Sequence, residues 1–485
     1  GALDWPSLQL TENRVTLEDG SEASFTASLD VASNVVHTAK LTVRGAFARD
    51  LLPAGYSFKA AEVQADLRGP FTALRHSGEL KLNELVAPGL RPLEVLARWQ
   101  GTGIGFDDLQ LEAASAGTTV EVNAAGAFSQ TNVAASLSMF SLKSEQHGEL
   151  RLETPVNVQF QRGASDETNQ WRLSSDPLKL VGNQRMLNFS AGVEWPQTGN
   201  ISIEMQNIGS ELFEDFLVAT NSHYLIRELQ AGANWTNGPV MFTNQFAARI
   251  SSTDQPEVEL RGSVGSDSNR IVISNVSIAS TTQVVCHVEG ELPFAFEPAA
   301  TNSWIQIRDE GDLRLRAFTE TNSAIWDQLA AKLPIKLHNP NVRVDVSGSW
   351  RKPAGTLKAD VERFEIRATK PLPVVTGLNL ALEMDRENAR ANFGASIQDQ
   401  PVRASATMPL GTGFWKQVLE ERELPDFGEA TGELALRDAK VSAFAEFAPE
   451  LIAPQGEVSV NLKLSPGLQL AGEALVYNLT TRPLP

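Results

Sequence analysis

The chain has 485 residues, a length that fits roughly two to four domains or one long repeat architecture. Its 41 Lys and Arg residues against 59 Asp and Glu residues give a net charge of −18. This acidic balance argues against nucleic acid as a partner, because phosphate groups require a basic surface. Hydrophobic residues make up 42% and charged residues 21%, which predicts an ordered globular chain and not a disordered one.

Strands are the dominant prediction along the chain, because apolar and polar residues alternate with a period of two. Such alternation is typical of antiparallel sheets with one apolar and one solvated face, whereas parallel sheets are covered on both sides. The sequence therefore predicts an all-β, antiparallel fold. The apolar positions are, in chain order, Leu109, Leu111, Val120, Val122, Leu150, Leu152, Val156, Val158, Phe160, Leu187, Phe189, Val193, Val342, Val344, Val346, Val458, Val460, Leu462 and Leu464.

Four short amphipathic stretches interrupt the strand pattern, at residues 212–217, 325–330, 414–419 and 443–448. Their apolar spacing is that of one helical face, and Ser210 and Ser323 are expected N-caps of the first two. Two interpretations stay open. The stretches dock on a membrane or a partner, or they plug an edge of the sheet, which is favoured because each is too short to be stable alone.

No Ser/Gly-rich or Pro-rich tract separates compact domains, so the sequence predicts one elongated repeat architecture over residues 1–485. The short helical stretches would open the later repeats. The approximate units are 1–209, 210–321, 322–412 and 413–485.

Catalytic and metal-binding patterns are absent from the sequence. The one cysteine, Cys286, excludes an intrachain disulfide and a cysteine-rich metal site. We expect Cys286 to be a buried packing residue, and the adjacent His287 would point to the opposite face of a strand. The six histidines are scattered without metal-ligand spacing, so we predict no catalytic residues, no cofactor, no metal and no enzymatic activity.

A sheet with one apolar face must cover it with another sheet, with helices or with an apolar ligand. The predicted helices are too few, and a series of sandwiches would require separate domains with linkers. Folding one long twisted sheet lengthwise gives a U-shaped apolar groove, a β-taco, that acyl chains would fill. The apolar positions named above are then the predicted lining of this groove.

Three segments resemble TamB-type proteins of the AsmA-like superfamily, which are bridge-like lipid-transfer proteins. The segment that begins at Phe444 has a short helical stretch, a Pro, a Gly and then an alternating strand, and the other two have a Gly turn, a Pro and a new Gly-led strand. They read FAEFAPELIAPQGEVSVNLKLS from Phe444, WRKPAGTLKADVERF from Trp350 and RGPFTALRHSGELKLNEL from Arg68. The resemblance implies a long β-groove that carries phospholipids to the outer membrane of diderm bacteria and takes part in outer-membrane protein assembly.

The same resemblance implies a periplasmic protein anchored in the inner membrane through an N-terminal segment that is absent from these residues. The sequence itself carries no signal peptide and no run of about 18 apolar residues. Because it begins and ends inside strand-like patterns, we interpret it as a piece of a longer protein. The implied partners are phospholipids and an outer-membrane Omp85-type barrel, contacted through a region outside this chain.

Two other functions stay open. The same strands would also suit an adhesin or structural stalk, in which dry β-sandwiches bind partners through loops or edges. A carbohydrate-active β enzyme is the third interpretation, and it requires paired carboxylates in a cleft.

Overall fold

In the computed structural model, most of the chain forms β-strands. The described residues are 2–16, 20–46, 53–163, 170–218, 222–252, 255–280, 283–300, 303–307, 311–320, 335–350, 352–366, 375–385, 387–410, 428–442 and 455–480. Thirty-one strands belong to one antiparallel sheet, and two more form a separate hairpin. The predicted all-β, antiparallel class is confirmed.

The chain divides into two compact units. Unit 1 comprises Gly1–Gly238 with Phe242–Ile250, and unit 2 comprises Pro239–Met241 with Ser251–Pro485.

The strands of unit 1 are β1 (Ala2–Asp4), β2 (Ser7–Thr16), β3 (Glu22–Asp30), β4 (Val35–Gly45), β5 (Ala60–Pro70), β6 (Arg75–Leu85), β7 (Leu93–Thr102), β8 (Gly105–Ser115), β9 (Thr118–Phe128), β10 (Asn132–Ser144), β11 (Gly148–Leu152), β12 (Val156–Arg162), β13 (Trp171–Ser175), β14 (Leu178–Gly182), β15 (Arg185–Trp195), β16 (Thr198–Gly209), β17 (Ser222–Thr236) and most of β18 (Met241–Ser252). Short 3-10 helices cover Phe71–Ala73 and Ser210–Phe213.

From β1 to β10 and from β15 to β17, unit 1 is a meander in which each strand pairs with the strand before it. Between these two runs the order departs from the meander, because the long strand β10 pairs with two shorter strands, β11 and β12, that lie end to end. These continue to β14 and β13, and both of those pair with β15. At two successive positions of the ladder, a pair of short strands lying end to end therefore takes the place of one long strand. The alternation of faces is preserved.

The strands of unit 2 are β19 (Gln255–Ser266), β20 (Ile271–Ser280), β21 (Gln283–Leu292), β22 (Phe294–Phe296), β23 (Ile305–Ile307), β24 (Asp312–Thr319), β25 (Ile335–His338), β26 (Asn341–Ser349), β27 (Lys352–Ile366), β28 (Val375–Met384), β29 (Asn388–Ile397), β30 (Gln400–Pro409), β31 (Thr431–Lys440), β32 (Gln455–Ser465) and β33 (Gln469–Thr480). The main ladder runs from β19 to β21, then to β24, to β26 and on from β26 to β33. The short strand β25 pairs with the far end of β27, beyond the part of β27 that pairs with β26. The separate hairpin is formed by β22 and β23.

Bulges interrupt the ladder near strand ends. In β6 the register shifts between Leu82 and Leu85, where Glu84 has a φ of +50°. In β31 the register shifts between Leu436 and Ala439, where Asp438 has a φ of +49°. A bulge of this kind bends its strand and increases the local twist.

The first predicted helical stretch is a 3-10 helix, Ser210–Phe213, followed by a turn. The prediction that Ser210 is its N-cap is wrong. Gly209 occupies the cap position, and the Ser210 hydroxyl instead accepts a hydrogen bond of 3.1 Å from the backbone N–H of Tyr224. The other three stretches, and the predicted cap Ser323, lie outside the described residues.

Candidate functional site

The residues predicted to line a groove in unit 1 share one face of its sheet. Residues directly opposite each other on neighbouring antiparallel strands project to the same side. Leu111 of β8 lies opposite Val122 of β9. Leu142 of β10 lies opposite both Val120 and Leu150. The remaining pairs on this face are Leu109 with Ala124, Leu137 with Val156, Ala135 with Val158, Leu173 with Phe160 and with Val193, Leu180 with Leu152 and with Leu187, and Phe189 with Ile203.

Unit 2 has an equivalent apolar face. Val344 lies opposite Ala317 on one side and Leu357 on the other, and Val346 lies opposite Leu315. The predicted lining residues of β26 and of β32 lie on this same face. A continuous series of directly opposite residues on the intervening strands, which the sequence interpretation missed, leads from one strand to the other. The connecting pairs are Val342 with Ala359, Ala359 with Leu380, Leu380 with Phe393, Phe393 with Ala404, Ala404 with Leu434 and Leu434 with Leu462.

The predicted lining residues differ in how far they are covered. Leu150, Val156 and Val193 are each 3% exposed, whereas Phe160 is 37% exposed. Half-buried positions are Leu109, Leu111, Val120, Val122, Leu152, Val158, Leu187, Phe189, Val342, Val344, Val346, Val458, Val460, Leu462 and Leu464. The apolar face of unit 1 is therefore closed in some places and accessible in others, and the predicted lining of unit 2 is half-buried throughout. That these residues contact a ligand stays a prediction.

One edge of the unit 1 sheet is covered by residues 210–218, which we call the edge strap. Its Leu212 is fully buried and packs with Leu142, Leu150 and Leu180. Phe216 packs against the same cluster. Part of the predicted groove lining is therefore filled by the chain itself, as expected for a stretch that plugs an edge of the sheet.

The edge strap crosses the turns at this edge and is held by polar contacts to them. Glu211 pairs with Arg185 of β15 at 3.2 Å. The hydroxyl of Thr118, at the start of β9, donates a 2.6 Å hydrogen bond to Asp215. Arg91, in the β6–β7 loop, donates from Nε to the carbonyl of Leu217 at 2.9 Å. These contacts connect residues as far apart in sequence as 126 positions.

At the opposite edge lies a row of aromatic rings on the same apolar face, which we call the aromatic row. The ring centroids of Phe160 and Trp171 are 6.1 Å apart. Trp171 stacks on Trp195 at 5.8 Å, and Trp195 meets Trp235 edge-on at 6.2 Å. Gly199, opposite Trp235, leaves room for that ring, because a Cβ there would overlap it. The sequence interpretation missed this row, since only the register brings the tryptophans together.

The other face of the sheet carries charged side chains in both units. In unit 2 a cleft of about 620 Å³ lies on it, lined by charged side chains that include Glu289, Arg316 and Asp345. Arg316 Nε donates a 2.8 Å hydrogen bond to Asp345, and this bond raises the pKa of the guanidinium above its ordinary value. Charged side chains paired across strands are compatible with a face that stays in water.

Reactive groups are few in the part of the chain that the structure describes. Within it, no group of three or more His, Cys, Asp or Glu residues is placed to hold a metal ion. Cys286 is half-buried, and burial raises the pKa of its thiol, which disfavours the nucleophilic thiolate. His287 stacks on Phe318 at 4.9 Å between ring centroids.

Comparisons with known proteins do not assign the chain to a family. No protein-family model matches it, and no curated protein matches it. Among the described residues, no helix combines the length and apolar character needed to cross a membrane.

Proposed function

We propose that the chain is a non-enzymatic conduit that binds phospholipid acyl chains along its apolar sheet faces. The sheet would fold lengthwise, so that these faces line a groove. The observation that carries the proposal is the register. Within each unit, strand after strand places its apolar residues on one side and its charged residues on the other.

The physical basis is the burial of apolar surface. Covering a half-exposed face with acyl chains removes it from water, at about 25 cal/mol for each Å². Lipid tails would lie on side chains such as Val344 and Leu462, while headgroups stay at the edge of the sheet in water. Such a surface holds any acyl chain without a specific pocket, so lipids would move along it by diffusion.

The proposed location is the periplasm of a diderm bacterium, with an inner-membrane anchor in an N-terminal segment outside these residues. The conduit would serve lipid transport from the inner to the outer membrane and outer-membrane biogenesis. An outer-membrane Omp85-type barrel is the proposed protein partner, also through a region outside this chain. The support for both is the resemblance of the segments at Arg68, Trp350 and Phe444 to TamB-type proteins.

One observation favours the alternative, an adhesin or stalk with a dry β core. Leu142 and Leu212 are both 0% exposed, so the apolar face beneath the edge strap is filled by protein and not by ligand. If the same held along both units, no lipid would enter.

The test introduces a carboxylate on each face of β26. Val344 is half-buried on the apolar face, and Ser347 is exposed on the polar face opposite Arg314. In Val344→Asp an acyl chain would meet a charge whose desolvation costs several kcal/mol, so bound lipid should be lost while the protein stays folded. Ser347→Asp is the matched control and should keep both fold and lipid.

Lipid content is measured by mass spectrometry of gently purified protein, and folding by circular dichroism and thermal melting. Wild-type protein without lipid, or a folded Val344→Asp protein that still carries it, would contradict the conduit. Unfolding of Val344→Asp alone would favour the dry core, because a buried unpaired charge destabilises a protein interior.

A further inference from the structure

The apolar face of unit 1 has two unlike ends along strands β8, β9 and β10. At one end the edge strap packs over it, and Leu142 beneath the strap is 0% exposed. At the other end Phe128, the last residue of β9, is 41% exposed, and Phe160 of the neighbouring β12 is 37% exposed. The face is therefore closed by protein at the strap end and accessible at the phenylalanine end.

Three phenylalanines form the accessible end, which we call the phenylalanine lip: Phe106, Phe128 and Phe160. The rings of Phe106 and Phe128 meet edge-on with their centroids 6.4 Å apart. Val133 of β10 lies opposite both Phe128 and Phe160, so all three project to the same side. The ring of Phe128 folds inward over the sheet, because a Cβ at Gly126 would come within 3.1 Å of it. The lip is continuous with the aromatic row, which begins at Phe160.

Between the lip and the edge strap lies a run of half-buried apolar side chains, which we call the apolar strip. The register places them on one side, with Leu111 opposite Val122, Val122 opposite Phe140, and Ala124 opposite Leu137. The members of the strip on β8, β9 and β10 are Leu111, Val122, Ala124, Ala135, Leu137 and Phe140. None of these side chains can form a hydrogen bond.

The kind of ligand that suits the apolar strip follows from this lack of hydrogen-bonding groups. Strands β8, β9 and β10 each pair with a strand on either side, so their backbone N–H and C=O groups are used in the ladder. A peptide lying on the strip would lose water from its own backbone groups and find no partner for them. An acyl chain has no such groups, and covering the strip with it is favourable.

The apolar strip is long enough to hold an acyl chain from end to end. Phe128 and Val120 are eight positions apart on β9, which corresponds to about 27 Å at roughly 3.4 Å per residue. Acyl chains fill about 15 Å in one membrane leaflet, half of a hydrocarbon core about 30 Å thick. A chain that starts at the lip would therefore pass Ala124 and end before Val120, which packs against the cluster beneath the edge strap.

We propose that a phospholipid lies on the apolar strip with its acyl chains parallel to the strands, its glycerol and headgroup at the phenylalanine lip and its methyl ends toward the edge strap. This inference rests on the proposed function and adds to it which edge of unit 1 is open to lipid. The rings of the lip cover the first carbons of the chains. The strap closes the other end, so lipid enters and leaves at the lip.

The test measures which part of an acyl chain lies near each end of the apolar strip. Cys286→Ser removes the one native cysteine, and a bimane label is attached at Phe128→Cys, Phe140→Cys or Gln110→Cys. Gln110 is exposed on the polar face of β8, opposite Asn123, and serves as the control. The probes are phosphatidylcholines in dodecyl maltoside micelles. They carry a nitroxide, which quenches bimane on contact, either near the glycerol or near the methyl end of one chain.

The Phe128→Cys label should be quenched more strongly by the nitroxide near the glycerol, and the Phe140→Cys label by the nitroxide near the methyl end. The Gln110→Cys label should respond to neither. Circular dichroism verifies the fold of each labelled protein. Val122→Cys, directly opposite Phe140, takes its place if Phe140→Cys does not fold.

A second measurement tests the lip itself in the labelled Phe140→Cys protein. Adding Phe128→Ala should weaken the apparent affinity for the nitroxide lipid about tenfold, because it removes an exposed ring that the acyl chain would cover. Phe213→Ala is the matched control, since Phe213 on the edge strap is also 41% exposed. It should leave the affinity unchanged. Equal affinities of the two variants would show that the lip does not contact lipid.

The other outcomes separate this inference from the proposed function. If the two nitroxides quench the Phe128→Cys and Phe140→Cys labels in the reverse order, or equally, the proposed orientation is wrong while lipid binding remains. Quenching of the Gln110→Cys label to the same extent would also overturn the inference, because lipid would then cover both faces. If no label is quenched although phospholipid co-purifies with the protein, the lipid lies elsewhere. If no label is quenched and no phospholipid co-purifies, the conduit itself fails.

Discussion

The cluster beneath the edge strap in unit 1 and the C-terminal hairpin β32–β33 in unit 2 have the same sequence pattern but opposite exposure. In both, leucines lie opposite each other across antiparallel strands, Leu142 with Leu150 and Leu464 with Leu470. Leu142 is 0% exposed because the strap packs over it, whereas Leu470 is 68% exposed. Alternation therefore determines which side of a strand is apolar, but not what covers that side.

This difference separates two roles that one apolar face can have. Where the chain supplies its own cover, the face contributes to folding stability. Where the face stays accessible, the same kind of side chain can be buried only by a ligand or by another strand.

Truncation of Leu212 should have the largest effect on stability. The side chain is fully buried among leucines of the sheet, so Leu212→Ala leaves a cavity and should lower the free energy of unfolding by about 2–5 kcal/mol. The matched control is Leu470→Ala, which should change it by less than about 0.5 kcal/mol because the side chain is already in water. Urea unfolding followed by tryptophan fluorescence measures both. Equal effects would mean that the strap is not a structural cover.

Adding one methyl group at Gly199 should have the next largest effect. Its Cβ would overlap the ring of Trp235, which is 6% exposed, so Gly199→Ala should destabilise unit 1 by about 1–3 kcal/mol. Gly192, on the neighbouring strand, has no atom within 4 Å of the Cβ position, so Gly192→Ala should be close to neutral. Thermal melting of the two variants side by side checks the prediction. A stable Gly199→Ala protein would show that the aromatic row is free to move aside.

The sequence predicted the strands and their apolar sides because both depend on neighbouring residues, and the parity of Val342, Val344 and Val346 is local information. It did not predict the contact of Arg91 with Leu217, because residues 126 positions apart meet only after the strands between them have paired. Bulges such as that at Asp438 also shift register without a period-two signal. The aromatic row was missed for the same reason as the strap contacts.

Removing one polar contact of the edge strap should have a smaller effect. Thr118 is 1% exposed and donates its hydroxyl to Asp215, so the isosteric change Thr118→Val leaves that carboxylate without this donor. We expect a loss of about 1–2 kcal/mol in urea unfolding. Thr119→Val is the control, because it makes the same change at the adjacent position on the other face of β9. If the two variants unfold alike, the hydrogen bond contributes nothing to holding the strap.

The smallest expected effect is a pH dependence of folding stability. It arises from a carboxyl group in a turn of unit 2 and not from either apolar face. Asp267 accepts hydrogen bonds from the backbone N–H groups of Asn269 and Arg270 and from the Arg270 side chain, at 2.8, 3.0 and 3.0 Å. The bond from Asn269, with help from Arg270, holds the pKa of the Asp267 carboxyl below its ordinary value of 3.8. A carboxyl whose pKa is lower in the folded state binds its proton more readily when unfolded.

The stability that this carboxylate contributes is therefore complete above pH 3.8 and is lost as the pH falls through the lower folded-state pKa. Asp267→Asn should remove that part of the acid dependence while leaving the turn formed, because the amide oxygen still accepts from both backbone groups. Asp312→Asn, at a side chain that is 76% exposed, is the matched loss of charge. Melting temperatures between pH 3 and pH 6, as a range about the ordinary carboxyl values, measure the slope. An Asp267→Asn slope identical to that of the wild-type protein would mean that the turn bonds do not distinguish the charged from the neutral carboxyl.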